Sequence, residues 1–203
     1  MVPTSLLVSD VADAVDIPVL AAGGFHDGRG LVAALALGAA GVAMGTRFLL
    51  TKESTVPDSI KELYLQAPVT GTIVTRSIDG HPQRVIRTDL VERLEGAGRL
   101  TALPRALVNA LRFRRVTNTS LRALVSEGLA MRRSQELTWS QLAMAANAPM
   151  MTKAAMVDGH PEVGILPAGQ GVGVIEELPT VEELVGRIIE EAGATLRRLG
   201  VAG

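Results

Sequence analysis

No cysteine occurs in this chain of 203 residues, so neither a disulfide framework nor a thiolate metal site can be built from it. Aromatic residues make up only 2% of the chain, with one Trp, one Tyr and three Phe, too few to stack the bases of a single-stranded nucleic acid. An excess of one charge is also missing. The 20 Lys and Arg stand against 21 Asp and Glu, for a formal net charge of -1, which predicts neither a nucleic-acid partner nor an anionic membrane. The longest uncharged apolar run, Leu31 to Gly45, falls short of the ~20 residues a membrane span needs. Residues Met1 to Asp10 carry no basic-then-apolar leader pattern, which makes the cytoplasm the default expectation. What remains is a chain that is 47% hydrophobic and close to the length of one domain, with enough apolar material for a sizeable core.

The stretch from Pro18 to Phe48, PVLAAGGFHDGRGLVAALALGAAGVAMGTRF, is the most informative. Ile17 to Ala22 is a short apolar run stopped by Gly23-Gly24, the pattern of a strand buried on both faces of a parallel sheet. Asp27 is a good N-cap and Gly38 falls where a left-handed C-cap belongs, which predicts a helix over Gly28 to Leu37. Gly41 to Met44 reads as a second buried strand, followed by a turn at Gly45-Thr46. The unit is β-α-β with a glycine turn at the carboxyl end of each strand, the edge at which parallel α/β proteins bind ligands. A phosphate needs several backbone N–H groups converging on it, and glycine lets the backbone come that close. Gly23, Gly24, Gly45 and the Thr46 hydroxyl are therefore candidates for an anion site; the alternative is that the glycines only turn the chain. In TIM barrels the recurrent phosphate site lies after the last two strands.

The flanking segments predict a more varied architecture. Thr4 to Val15 has the spacing of an amphipathic helix, with Leu7, Val8, Val11 and Val15 on one side. Glu53 to Leu65 reads as a helix, Thr70 to Ser77 and Gln83 to Arg87 as strands of a hairpin around Asp79-Gly80, and Leu90 to Glu95 as a further helix. From Arg99 to Arg122 six arginines occur with no acidic residue, either a surface for an anionic group such as a nucleotide tail or a basic helix facing acidic segments. Leu121 to Asn147 reads as helical. Met144, Met150, Met151 and Met156 cluster around Pro149, as core filling or as a pliable wall beside a flat cofactor. Gly164 to Gly173, GILPAGQGVG, is dense enough in glycine to imply close backbone approach, and it does not satisfy G-x-G-x-x-G. Thr180 to Glu183, TVEE, is a capping box ahead of a last helix ending at Arg197, Arg198 and Gly200. His26 lies beside the first glycine turn, His81 in the hairpin turn and His160 in a D-G-H-P loop; solvated loop positions account for each, and no triad, metal pair or carboxylate pair stands out.

On these residues the chain resembles a known family. IPVLAAGGFHDGRGLVAALALGAAGVAMGTRFLLTKES, TGTIVTRSIDGHPQRVIR and LPAGQGVGVIEELPTVEELV, in this order and spacing, are similar to the carboxyl-terminal part of the nitronate monooxygenases, formerly 2-nitropropane dioxygenases. The resemblance implies an α/β fold, the carboxyl-terminal portion of a TIM (β/α)8 barrel of flavin-oxidoreductase type with an appended helical region, the barrel being incomplete in this chain. It implies residues 1–52 as the last βαβ unit with its phosphate-binding turns, 53–165 as a hairpin and helical appendage, and 166–203 as a glycine-rich segment and closing helix. It implies FMN as cofactor, held at the phosphate by Gly23, Gly24, Gly45 and Thr46, with Gln170 near the flavin, and no metal. The implied reaction converts an alkyl nitronate and dioxygen to a carbonyl compound and nitrite, this chain supplying the FMN-phosphate half. The family's catalytic histidine falls ahead of the equivalent of Met1, so no catalytic residue is assigned. A separately encoded amino-terminal barrel half or a homo-oligomer is compatible with this reading, and nucleic acid and membrane are not expected partners. Two alternatives stand beside it: a truncated, non-catalytic remnant that binds FMN or phosphate, and a related flavin enoyl reductase or NAD(P)H-dependent flavin oxidoreductase.

Overall fold

The computed structural model describes residues 2–96 and 139–201. The arginine-rich stretch from Arg99 to Arg122 lies outside them, as does most of the helix expected from Leu121 onward. In chain order the described elements are α1 (Thr4–Ala14), β1 (Leu20–Ala22), α2 (Gly28–Ala36), β2 (Gly41–Ala43), α3 (Gly45–Leu49), α4 (Asp58–Leu65), β3 (Thr72–Thr75), β4 (Gln83–Ile86), α5 (Asp89–Glu95), α6 (Trp139–Met156), a 3-10 turn (Gln170–Val174) and α7 (Val181–Arg198). The described residues fall into two compact units, one of residues 2–54, 64–70 and 168–201, the other of residues 55–63, 71–96 and 139–167.

The first unit is built on the expected β-α-β. β1 and β2 run parallel, with Leu20 opposite Gly41, Ala21 opposite Val42 and Ala22 opposite Ala43. Between them Asp27 caps α2 by accepting from the Gly30 amide at 2.8 Å, and Gly38 leaves the helix at φ +89°, a conformation that favours glycine. One face of this pair is packed: Val8, Ala21, Ala34 and Ala39 form a buried cluster with Phe25, Leu37 and Val42 against it. A second cluster joins Met44 to Leu184 and Ile188 of α7. The strands are not buried on both faces as their composition suggests. Leu20 is 64% exposed and Ile17 71%, because within this unit the helices cover only one side of two short strands. The stripe on α1 is likewise mostly exposed, with only Val8 buried. α7 carries the capping box its sequence announces: Thr180 accepts from the Glu183 amide and Glu183 accepts from the Thr180 amide.

The second unit holds the antiparallel hairpin β3–β4, in register from Thr72 opposite Ile86 to Thr75 opposite Gln83. Gly80 sits at φ +87° in its turn, and the Asp79 carboxylate accepts from the His81 amide at 2.9 Å. Its core gathers Ile78, Val85, Val91, Ala148, Met151 and Ile165, so Met151 serves as core filling. α4 starts at Asp58, not Glu53, because Pro57 disfavours helical backbone at the residue before it and supplies the first carbonyl acceptor itself, to Ile60 and Lys61.

Candidate functional site

The parallel register of β1 and β2 brings the two glycine turns to one edge of the sheet, since each follows the last paired residues, Ala22 and Ala43. Gly23 and Gly24 both take positive φ, +105° and +87°, so the turn after β1 is a shape side chains strain to adopt. Gly45 and Thr46 open α3 directly; what reads as a turn in the sequence is the first turn of a short helix. A Cβ placed on Gly24 or on Gly45 would meet no atom within 4 Å. The backbone at both positions faces open space, whereas Gly23 looks toward the Thr4 hydroxyl at 3.6 Å.

The glycine-rich segment lies against the same edge. The Gly169 amide donates to Thr46 Oγ1 at 2.9 Å, and a Cβ on Gly171 would stand 3.6 Å from the Gly24 carbonyl oxygen and 3.8 Å from His26 Cβ. Gln170 is exposed between these two approaches. Gly23, Gly24, Gly45, Thr46 and Gln170 thus belong to one locality within the first unit, although 147 residues separate Gly23 from Gln170 in the numbering. The Thr46 hydroxyl accepts from Gly169 and keeps its own hydrogen to donate. The other glycines of the segment approach the chain itself: Gly173 packs against Val69, where a Cβ would lie 2.1 Å from the amide nitrogen, and Gly164 against Met151 and Ala155 of α6.

Beside this edge lies a cavity of about 200 Å3, whose walls include His26, Arg29, Arg47, Glu177, Arg187 and Glu191. None of the five candidate residues lines it; His26 and Arg47 are the walls nearest to them in sequence. His26 Nδ1 is 3.2 Å from the Gly24 carbonyl oxygen, the distance at which its Nδ1–H tautomer donates. Burial works against the charge of Asp27, but the Gly30 amide, the Arg29 guanidinium and His26 outweigh it and hold the carboxyl below its usual range. Glu191 accepts from the Gly28 amide at 2.9 Å, and Arg187 pairs with Glu177. His81 and His160 are loop histidines of the second unit, His81 exposed and His160 beside Glu162 at 3.2 Å. Among the described residues no group of His, Asp and Glu is arranged to hold a metal, and no helix is long and apolar enough to cross a membrane.

Arg47 is the residue of this locality that motif reading passed over. It is 5% exposed, its Nη2 donates to the carbonyls of Leu50 at 3.4 Å and Glu177 at 3.3 Å, and its Nε is buried with no partner among the described residues. Desolvation pulls its pKa down from the ordinary arginine value. A lone cation between Met44 and Phe48-Leu49-Leu50 was the available signal, since an arginine in an apolar run must find carbonyls or counter-charge inside.

The nitronate monooxygenase family model matches residues 2–191. The chain belongs to the nitronate monooxygenase family. It is 55% identical over 194 residues to a Mycobacterium tuberculosis protein named (3aS,4S,5R,7aS)-5-hydroxy-7a-methyl-1-oxo-octahydro-1H-indene-4-carboxyl-CoA dehydrogenase, covering 94% of this chain and 55% of that protein. It is 44% identical over 94 residues to a probable nitronate monooxygenase of Staphylococcus saprophyticus, covering 46% of this chain and 26% of that one. The structure of FabK from Thermotoga maritima superposes with a TM-score of 0.66 and 32% identity, over 98% of this chain and 51% of FabK. The two named relatives carry the names of oxidoreductase enzymes, and the α/β fold is shared with FabK. The chain spans about half the length of the M. tuberculosis relative and of FabK.

Proposed function

We propose that this chain binds the phosphate of FMN at the joint edge of β1 and β2 and contributes to a flavin-dependent oxidoreductase acting on a CoA thioester. The observation that carries the phosphate assignment is the open space over Gly24 and Gly45 at one sheet edge, next to the Thr46 hydroxyl. Backbone amides there can converge on an anion with no side chain in the way. In this reading Gly23 shapes the turn, Gly24, Gly45 and Thr46 donate to the phosphate, His26 braces the Gly24 carbonyl, and Gln170 is held near the flavin by its neighbours Gly169 and Gly171. When bound, the flavin supplies the two-electron redox chemistry. The chain's own part is to seat and orient it; no acid or base role is assigned to any residue.

Residues 1–52 then form the last βαβ unit of a TIM barrel, 53–165 its hairpin and helical appendage, and 166–203 the glycine-rich segment and closing helix. The relatives' additional length supplies the rest of the barrel. The substrate class rests on extent of likeness, since identity to the CoA dehydrogenase runs along 94% of the chain and identity to the nitronate monooxygenase along 46%. The second reading, oxidation of an alkyl nitronate with dioxygen to a carbonyl compound and nitrite, is favoured by the family model.

Purified protein is titrated with FMN while its melting temperature is followed, then assayed with a fused-ring carboxyl-CoA thioester and a dye acceptor, and separately with a nitronate for nitrite release. An FMN-dependent rise in melting temperature is expected of this chain alone, and thioester-dependent dye reduction once the rest of the barrel is supplied. Nitrite release without it would replace the first reading by the second. Protein that stays colourless with no FMN-dependent rise in melting temperature would overturn both, leaving a non-catalytic remnant.

A further inference from the structure

The structure ties the segment from Gly169 to Val181, which contains the 3-10 turn, to the segment that carries Thr46 at four places. The Gly169 amide donates to Thr46 Oγ1, Arg47 donates to the Glu177 carbonyl, the Lys52 amide donates to the Pro179 carbonyl at 3.0 Å, and the Val181 amide donates to the Glu53 carboxylate at 2.9 and 3.0 Å. Three of these ties use neutral or exposed groups. The Arg47 tie is different, because it places a buried charge one residue along the chain from Thr46.

That charge has no carboxylate within ion-pair distance among the described residues. The acidic side chains around the adjoining cavity are engaged elsewhere: Asp27 with Arg29, Glu177 with Arg187, and Glu191 with the Gly28 amide. The attraction of Glu177 and the repulsion of Arg187 act on Arg47 in opposite directions. A guanidinium bonded, among the described residues, to two carbonyls and with Nε unsatisfied there remains a net positive charge in a poorly solvated place, and such a charge favours any anion brought near it. Arg47 follows Thr46 directly in α3, so the Leu50 and Glu177 carbonyls that fix the Arg47 side chain also fix the helical turn from which the Thr46 hydroxyl projects.

We propose that Arg47 is a positioning residue of the phosphate site: it joins the Leu50 and Glu177 carbonyls to hold Thr46 in place, and its unpaired charge is balanced by the phosphate. The proposal rests on the phosphate reading above. It commits to the phosphate as the group Arg47 favours, and the isoalloxazine ring is outside its influence.

FMN and riboflavin differ only in the phosphate, so the ratio of their affinities isolates the effect. Binding of both is measured by flavin fluorescence quenching with the full chain, in wild type, R47M and R47K, with melting temperature followed alongside. R47M is expected to lower the FMN-over-riboflavin ratio by about tenfold, the scale of one charge-assisted contact, with riboflavin affinity changed less than about twofold. R47K keeps the charge but lacks the planar head whose Nη2 donates to both carbonyls, and its ratio should fall between those of wild type and R47M. If R47M does not fold, R47K is read by the same rule. An unchanged ratio, or equal loss of both affinities as a purely structural role would give, overturns the proposal. Wild-type protein that binds both flavins equally, or neither, overturns the underlying phosphate reading instead.

Discussion

Gly28, the first residue of α2, lies so close to α7 that a Cβ on it would stand 2.3 Å from the Ile188 carbonyl oxygen and 2.4 Å from the Ala192 amide nitrogen. Backbone meets backbone here, and neither side can rotate away. Glu191 completes the junction by accepting from the Gly28 amide. The contact fixes the helix that begins just after Gly23-Gly24 and His26, so it bears on the site as well as on stability. Gly28→Ala should destabilise the protein by about 1–3 kcal/mol, the cost of forced overpacking. Gly186, in the middle of α7, has nothing within 4 Å of a built Cβ, and Gly186→Ala should stabilise by about 0.5–1 kcal/mol. Urea unfolding of the two variants checks the pair, and equal shifts of the same sign would contradict the packing described.

Gly24 and Gly45 both face open space, but their backbones differ. Gly24 has φ +87°, and Gly45 is helical without a positive φ. Gly45→Val should therefore leave stability within about 1 kcal/mol while its side chain fills the space assigned to the phosphate, lowering FMN affinity by about a hundredfold or more. Gly24→Val should lose binding too, and lose roughly 1–2 kcal/mol of stability from the left-handed backbone. Fluorescence titration with FMN and thermal melts separate the two effects. A Gly45→Val protein that binds FMN as wild type does would move the phosphate away from this edge.

What the sequence makes legible is what neighbours in the chain decide. The Asp27 cap, the left-handed Gly38, the Asp79-Gly80 turn and the Thr180–Glu183 capping box involve partners at most a few residues apart, and each forms where its residues stand. The two glycine turns can be matched because parallel strands joined by one helix bring their carboxyl ends together. The purpose of single glycines in Gly164 to Gly173 is not legible, since the surfaces they meet, Val69 for Gly173 and α6 for Gly164, are set by tertiary packing. Arg47 is hidden for the same reason: the carbonyl of Glu177 that it holds is 130 residues away. The apolar stripe of α1 shows the converse, because spacing records a capacity to bury a face, and Leu7 nonetheless stays 50% exposed.

Thr46 has two tasks in this arrangement, accepting from the half-buried Gly169 amide and keeping a hydrogen for a ligand. Thr46→Val preserves shape and removes both, leaving the Gly169 amide unsatisfied at a cost of about 1–3 kcal/mol. Thr46→Ser keeps the oxygen and should restore most of the stability and of the FMN affinity. Melting temperature and FMN titration report the two tasks independently. Thr46→Val with an unaltered melting temperature would mean that the Gly169 hydrogen bond does not hold the segment in solution.

Acid should weaken the fold through three carboxylates whose pKa values are held down. For Asp27, burial opposes the charge but the Gly30 amide and Arg29 prevail; for Glu95, the Thr75 and Ser77 hydroxyls act; for Glu183, the Thr180 amide and Lys52 do. A carboxyl with a depressed folded value binds fewer protons folded than unfolded, so its contribution is complete above its unfolded pKa of ~4 and is lost as pH falls through the folded value. Stability should therefore be level near neutrality on this account and decline below about pH 5. Asp27 is the least exposed of the three, and Asp27→Asn isolates its part. Asparagine caps a helix as well as aspartate does, so α2 should survive at pH 7 with the carboxylate's attraction to Arg29 and His26 lost. Denaturant midpoints at pH 7 and pH 3 should then drop less in Asp27→Asn than in wild type. An equal drop in the two proteins would show that Asp27 is protonated alike in the folded and unfolded states.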